Sequence, residues 1–402
     1  MSCYPIRDIF DQFGGVVKSE KWLNLDQLKA LSLIGMCKTE KLGSHKEKCT
    51  SCGHKRVHYN SCGNRNCPNC QGINKEKWIL ARSADLLPVK YFHGVFTVPS
   101  ELRGLFRYNK RLLYDLLFQC VKETLFEFSL GAKQKMEAKP GLISVLHTWN
   151  QKMGYHPHVH CIIPAGGINN KGEWKTSKGK DDFLFRVEAL SAKFKQKFLI
   201  LLAELVANDE VKFPVKDAHC STKSDFYKTK GILYNRDWVV YTKESFGGPE
   251  QVMEYLGRYT HKIAISNHRI VKVSDTHVSF NYLNRSTNTV EIRKVTGAEF
   301  IQLFLQHVLP KRFIKIRHYG FLSTRSKKVD LAKIRKALKV ENPPVKELLS
   351  ARELMLKTYG KDPNLCPKCN KDTMVVVEIN GGIRGSPRRF FAKDKRVQLE
   401  MN

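Results

Sequence analysis

The chain has 402 residues, 42% of them hydrophobic, and a formal net charge of +31 at pH 7. That length allows two or three domains with a substantial core. An excess of cations this large in a folded chain most often serves a polyanion, nucleic acid first. No apolar run reaches the about 18 residues of a membrane span, because Phe198 to Ala207 is too short and contains Glu204. The opening MSCYPIRDIFDQFGG lacks the basic-then-apolar order of a secretory signal. The expectation is a soluble cytoplasmic protein associated with DNA, with no membrane partner. No G-x4-G-K-[ST] loop is present, which argues against a helicase or other P-loop motor within the chain.

Residues 1–85 read as a small N-terminal module. Five of the 12 cysteines (Cys49, Cys52, Cys62, Cys67 and Cys70) fall within 22 residues, which is metal-ligand spacing rather than a disulfide framework. Cys49-x2-Cys52 and Cys67-x2-Cys70 form two knuckles, and the expectation is one tetrahedral Zn2+ site on these four. Cys62, His45, His54 and His58 are nearby substitutes. Lys46, Lys48, Lys55, Arg56 and Arg65 suit a DNA-binding surface on such a finger.

Residues 86–275 read as a catalytic domain. A strand at 89–99, a long helix to about 128, strands at 141–150 and 156–164, a helix at 187–208 and a strand at 237–242 follow in turn. This order predicts an α+β fold, with a ferredoxin-like antiparallel sheet and helices on one face. Within it, HPHVHCIIP places His158 and His160 on one face of a strand, where two imidazoles make half of a divalent-metal site. His147 or Gln151, on the hairpin partner, is placed to complete it. From Glu250 to His261 a helix is expected, with Pro249 and two glutamates at its start and cations at its end. Tyr255 and Tyr259 stack on one face of it. Gly257 between them costs about 1 kcal/mol against alanine, which suggests a helix pressed against a ligand.

Residues 276–345 read as a basic α/β extension, with strands at HVSFNYL and TVEIRKV and a helix near 297–309. KRFIKIRHYGFLS (311–323) alternates basic and aromatic residues, fitting either a nucleic-acid surface or an amphipathic strand with a solvated basic face. Residues 346–402 read as a basic tail with a solitary Cys366-Pro-Lys-Cys369 knuckle, the last 25 residues poorly ordered.

Four motifs, in this order along residues 20–370, carry a resemblance: CTSCGHKRVHYNSCGNRNCPNCQ, HPHVHCIIPAGG, YLGRYTHKIAISNHRI and HVLPKRFIKIRHYGFLS. Together they resemble the two-tyrosine rolling-circle transposases of bacterial insertion sequences, of the HUH endonuclease superfamily. That resemblance implies a zinc-binding module followed by an HUH (palm) domain. It also implies catalytic Mg2+ or Mn2+ held by His158, His160 and Gln151, the last matching a polar ligand seven residues before the first histidine. Tyr255 and Tyr259 are implied as nucleophiles that nick and rejoin single-stranded DNA of transposon ends and target through a 5′-phosphotyrosine. Host replication or helicase machinery is implied as partner. The competing readings are an HUH replication initiator or relaxase, and a non-catalytic zinc-dependent DNA-binding protein.

Overall fold

The computed structural model describes residues 4–20, 23–131, 136–176, 185–244, 251–252, 257, 260–341 and 349–382. Two helices open the chain, α1 (Ile6–Glu20) and α2 (Leu25–Gly35). Asn24 caps α2 reciprocally with Gln27, each side chain taking the other's backbone N–H. Strands β1 (Ser44–Cys49) and β2 (Lys55–Tyr59) form a hairpin, and α3 (Gln71–Ser83) follows with no buried residues of its own.

The central sheet begins with β3 (Tyr91–Thr97), then helices α4 (Arg103–Tyr108) and α5 (Lys110–Leu130) lead to the hairpin β4 (Lys139–Trp149) and β5 (Tyr155–Pro164). Short strands β6 (Gly166–Ile168) and β7 (Trp174–Thr176) extend it. Helices α6 (Val187–Ala207) and α7 (Lys223–Tyr234) return the chain to β8 (Val240–Glu244). The strands lie in the order β4-β5-β3-β8, each antiparallel to its neighbour. Alternation along β5 divides the sheet's faces. Val159, Cys161 and Ile163 join Phe96, Phe106, Phe118, Phe194 and Phe198 in the main core under α4–α7, while His156, His158 and His160 point the other way.

Beyond the sheet come β9 (Ile270–Val273), β10 (His277–Asn284), β11 (Thr289–Thr296) and α8 (Gly297–Leu305). Their core is shared with the N-terminus: Ile9, Phe10, Phe13, Leu31 and Ile34 pack with Phe280, Phe300 and Phe304. The amino-terminal helices thus pack on residues 265–308, across the division expected at residue 85.

The basic–aromatic segment becomes β12 (Ile316–Gly320), paired with β4. Its Arg317 turns inward, pairing with Asp115 and lying 4.2 Å over the Phe118 ring. Next are α9 (Lys327–Leu338), α10 (Ala351–Tyr359) and β13 (Met374–Asn380). Residues 349–382 of the expected basic tail are therefore part of the fold, because β13 pairs antiparallel with β1 as third strand of the small sheet.

Tyr255 and Tyr259 lie outside the described residues. Gly257 between them is described, and it faces α3. A Cβ there would collide with the Ile79 side chain and come within 3.0 Å of the Lys75 Cε. Next along the chain, His261 sits edge-on to Trp78 of the same helix, ring centroids 6.1 Å apart. Gly257→Val is expected to destabilise the chain by about 1–3 kcal/mol through overpacking. Ile79→Ala should recover part of that loss in the double variant, both measured by denaturant unfolding.

Candidate functional site

The β4–β5 register sets His147 directly opposite His158, with Val145 opposite His160. His147 therefore shares the face of His158 and His160, and the ligand atoms of all three lie within 4.8 Å of one another. The ring centroids of His147 and His160 are 4.5 Å apart, and those of His158 and His160 4.9 Å. Behind this group, Trp149 stacks on His147 at 4.6 Å.

Gln151 was expected to be the third ligand. It instead follows Trp149 into the hairpin turn, where its backbone carbonyl accepts the Arg269 guanidinium at 2.6 Å. The pairing register, not the residue count, decides which side chain stands beside His158, and that residue is His147.

Hydrogen bonds orient the imidazoles. His158 Nδ1 lies 2.7 Å from the His156 carbonyl oxygen, which only accepts, so Nδ1 carries the proton and Nε2 is left with its lone pair. That Nε2 faces His160 Nε2 at 3.1 Å. On its other side, His160 Nδ1 is 2.9 Å from His93 Nε2 on β3. With the His160 proton on Nδ1 and donated to His93, both Nε2 lone pairs converge on the space beside His147. Three buried imidazoles so arranged are a fitting donor set for a divalent cation, and His93 is the outer partner that fixes one ring. Burial disfavours the cationic form of His158 and His160. It pushes the His158 imidazole down to about 3 and that of His160 well below its ordinary value, with nearby His147 and Lys262 adding to the latter.

Beside Trp149 a pocket is lined by Arg65, Lys262 and Lys315 together with Thr148 and His307. Among the described residues no carboxylate lines it. Desolvation, with Arg65 adding, pushes the Lys315 ammonium down to about 8. Arg65 reaches the pocket from the cysteine knuckle, held by its bond to the Phe313 carbonyl at 2.8 Å.

The cysteines regroup. The expected quartet of Cys49, Cys52, Cys67 and Cys70 is not one cluster: Cys67 and Cys70 meet Cys37 and Cys62, whereas Cys49 and Cys52 meet Cys366 and Cys369. In the first group, Sγ atoms are 3.6–3.7 Å apart. The Cys62 and Asn64 backbone N–H groups donate to the Cys37 and Cys62 sulfurs. Of the histidines weighed as substitutes, His45 and His58 surround Glu47 instead. Arg56 already occupies that carboxylate at 2.5 Å. Burial opposes ionisation of Glu47, but His58 and Arg56 outweigh it and hold the carboxyl at about 2.

Comparison with known proteins adds the family. Residues 141–329 match a family model described as "Putative transposase", and residues 9–98 match one described as "Transposase zinc-binding domain". The chain is 36% identical over 389 residues to "Putative transposase y4qJ" of Sinorhizobium fredii, covering 95% of this chain and 97% of that protein. The chain belongs to the IS91-type insertion-sequence transposases. It is also 27% identical over 387 residues to the "Transposase for insertion sequence element IS801" of Pseudomonas savastanoi pv. phaseolicola, covering 94% and 90% of the two chains. No solved structure matches it significantly. The histidine cluster lies within the first matched region, and the Cys37/Cys62/Cys67/Cys70 group within the second. The described helices include none long and apolar enough to cross a membrane.

His147→Ala is expected to weaken Mn2+ binding at least about tenfold, and His93→Phe by about 10–100-fold through loss of ring orientation. Gln151→Ala should stay within about twofold of wild type, all read by calorimetric titration.

Proposed function

We propose that this transposase is an HUH-type strand transferase that nicks and rejoins single-stranded DNA through a covalent 5′-phosphotyrosine, with Tyr255 and Tyr259 as nucleophiles. The observation that carries this reading is the cluster of three buried imidazoles on the face of a β-α-β-β-α-β sheet opposite its main core. Its strand order, fourth–first–third–second, is that of a ferredoxin-like (palm) domain. A divalent cation, Mg2+ or Mn2+, held by His147, His158 and His160 would neutralise the scissile phosphate and orient it for in-line attack. Three nitrogen donors without a carboxylate favour Mn2+ over Mg2+.

Gly257, between the two tyrosines, packs on α3, His261 follows it against Trp78, and Lys262 is close enough to His158 and His160 to disfavour their protonation. A phenolic oxygen attacks phosphorus, the bond from phosphorus to the 3′-oxygen breaks, and the phenol's proton is balanced by the one the 3′-oxygen gains. The ester energy is retained in the phosphotyrosine, so the same site rejoins strands without ATP. Two tyrosines four residues apart in the sequence would let one hold a cut strand while the other cuts the next. Arg65, Lys262 and Lys315 give a neighbouring phosphate of the strand its counter-charges. The substrates of this reading are transposon ends and target DNA in single-stranded form. Unwinding is supplied by host replication or helicase machinery.

The test uses single-stranded oligonucleotides from the element's ends with Mn2+, resolved on a denaturing gel. A metal-dependent protein–DNA adduct is expected, absent in His158→Ala and in the Tyr255→Phe/Tyr259→Phe double variant. DNA binding without any adduct on these ends would reject the reading in favour of a binding protein. In a second measurement, Lys315→Met is expected to weaken single-strand binding about tenfold. The slope of log affinity against log salt should fall by about 0.7. The unfolding temperature should not drop, since a poorly paired, desolvated cation is removed.

A further inference from the structure

The knuckle at Cys366 and Cys369 lies outside both family matches, which end at residues 98 and 329. It nevertheless meets Cys49 and Cys52 sulfur to sulfur. Cys49 Sγ is 3.6 Å from Cys369 Sγ, and Cys52 Sγ is 3.6 Å from Cys366 Sγ. With Zn–S bonds of about 2.3 Å, a tetrahedral thiolate site has S···S edges of about 3.8 Å, whereas a disulfide needs about 2.05 Å. The separations fit the first and exclude the second.

The two knuckles are also built alike. In one, Gly53 N–H bonds the Cys49 carbonyl at 2.9 Å and Cys49 N–H bonds the His54 carbonyl at 2.8 Å. In the other, Asn370 N–H bonds the Cys366 carbonyl at 2.8 Å and Cys366 N–H bonds the Lys371 carbonyl at 2.9 Å. Each has a residue in the left-handed region directly after its second cysteine, Gly53 at φ 71° and Asn370 at φ 55°. Chain segments more than 300 residues apart thus adopt one hydrogen-bonded loop twice, with their thiols face to face. The Cys52 N–H donates to Cys49 Sγ at 3.3 Å, and the Thr373 hydroxyl lies 3.0 Å from the same sulfur, as suits a thiolate.

The surrounding core is too small to hold this arrangement. Its buried side chains are Cys49, Cys366 and Met374, with Cys369 packed against them. A lobe of that size folds when a metal stands in for the missing apolar core.

We propose that Cys49, Cys52, Cys366 and Cys369 hold a second structural Zn2+, a clasp that makes the C-terminal segment part of the N-terminal module. The clasp fixes β13 beside β1 and docks α10 on α3, where the Tyr359 hydroxyl fills the space a side chain on Gly72 would need. The same α3 seats Gly257.

The test is metal analysis of the purified full-length chain with Co2+ exchange, whose thiolate-to-cobalt absorption counts tetrathiolate sites. The histidine cluster has no thiolate and is silent in that band. Wild type is expected to saturate the band at two Co2+ per chain. Cys366→Ser/Cys369→Ser should lose one zinc equivalent and half the band, and its residues beyond 361 should become sensitive to protease. Saturation of the wild-type band at one Co2+ would overturn the proposal even if the variant failed to fold. Unchanged zinc and unchanged absorption in a folded variant would overturn it too.

Discussion

The antiparallel register between β4 and β5 is the constraint on which the site depends. Because side chains alternate along a strand, a slip of one residue would turn His158 and His160 into the packed core under α5 and α6. Val159, Cys161 and Ile163 hold the register by filling that core, so the apolar half of the strand positions the polar half. The same pairing sets His147 opposite His158, and the neighbouring strand β3 brings His93 against His160. Burial disfavours the cations of His158 and His160 and so favours the neutral form that a metal needs.

The rest of the molecule is arranged around the face that carries the histidines. Apolar packing fills the sheet's other face and also reaches the histidine face, where Tyr91, Ile143 and Ile162 meet Leu331 and Ile334 of α9, whereas the lobe at Cys49 and Cys366 has little apolar core. Its helix α3 contributes no buried residue, yet Ile79, Lys75 and Trp78 form the surface against which the chain at Gly257 and His261 rests. Cysteine geometry at one end of the chain is thereby linked mechanically to the segment that carries the two tyrosines. The charge of +31 is also distributed unevenly: Arg317 is paired within the fold, whereas Arg65, Lys262 and Lys315 meet at a pocket that no carboxylate among the described residues lines.

Local signals were legible where period and composition agree. The helices at 187–207 and 297–305, the histidine hairpin and the strands at 277–296 follow directly from pattern. The same-face placement of His158 and His160 needs only the two-residue repeat of a strand. What sequence reading missed depends on contacts between distant segments. Gln151 satisfies an offset along the chain, but a tight turn at Asn150 to Gly154 removes it from the strand and leaves His147 in register. Cys37 lies outside any knuckle spacing, and the Cys366/Cys369 knuckle stands alone in the sequence. Parity was the available clue, since Cys37 and the knuckle complete eight clustered cysteines, enough for two whole quartets. Gly257 reads as a ligand contact in sequence, whereas its neighbour is a helix nearly two hundred residues earlier.

The most direct test of the account is to identify the residue that carries the DNA. The chain would be reacted with a short single-stranded transposon end and Mn2+, digested with nuclease and trypsin, and its peptides sequenced by mass spectrometry. The account predicts a 5′-linked nucleotide on Tyr255 or Tyr259, formed only with metal and with the histidine cluster intact. A nicked product bearing a free 5′-phosphate with no modified peptide, or an adduct on any other side chain, would contradict it.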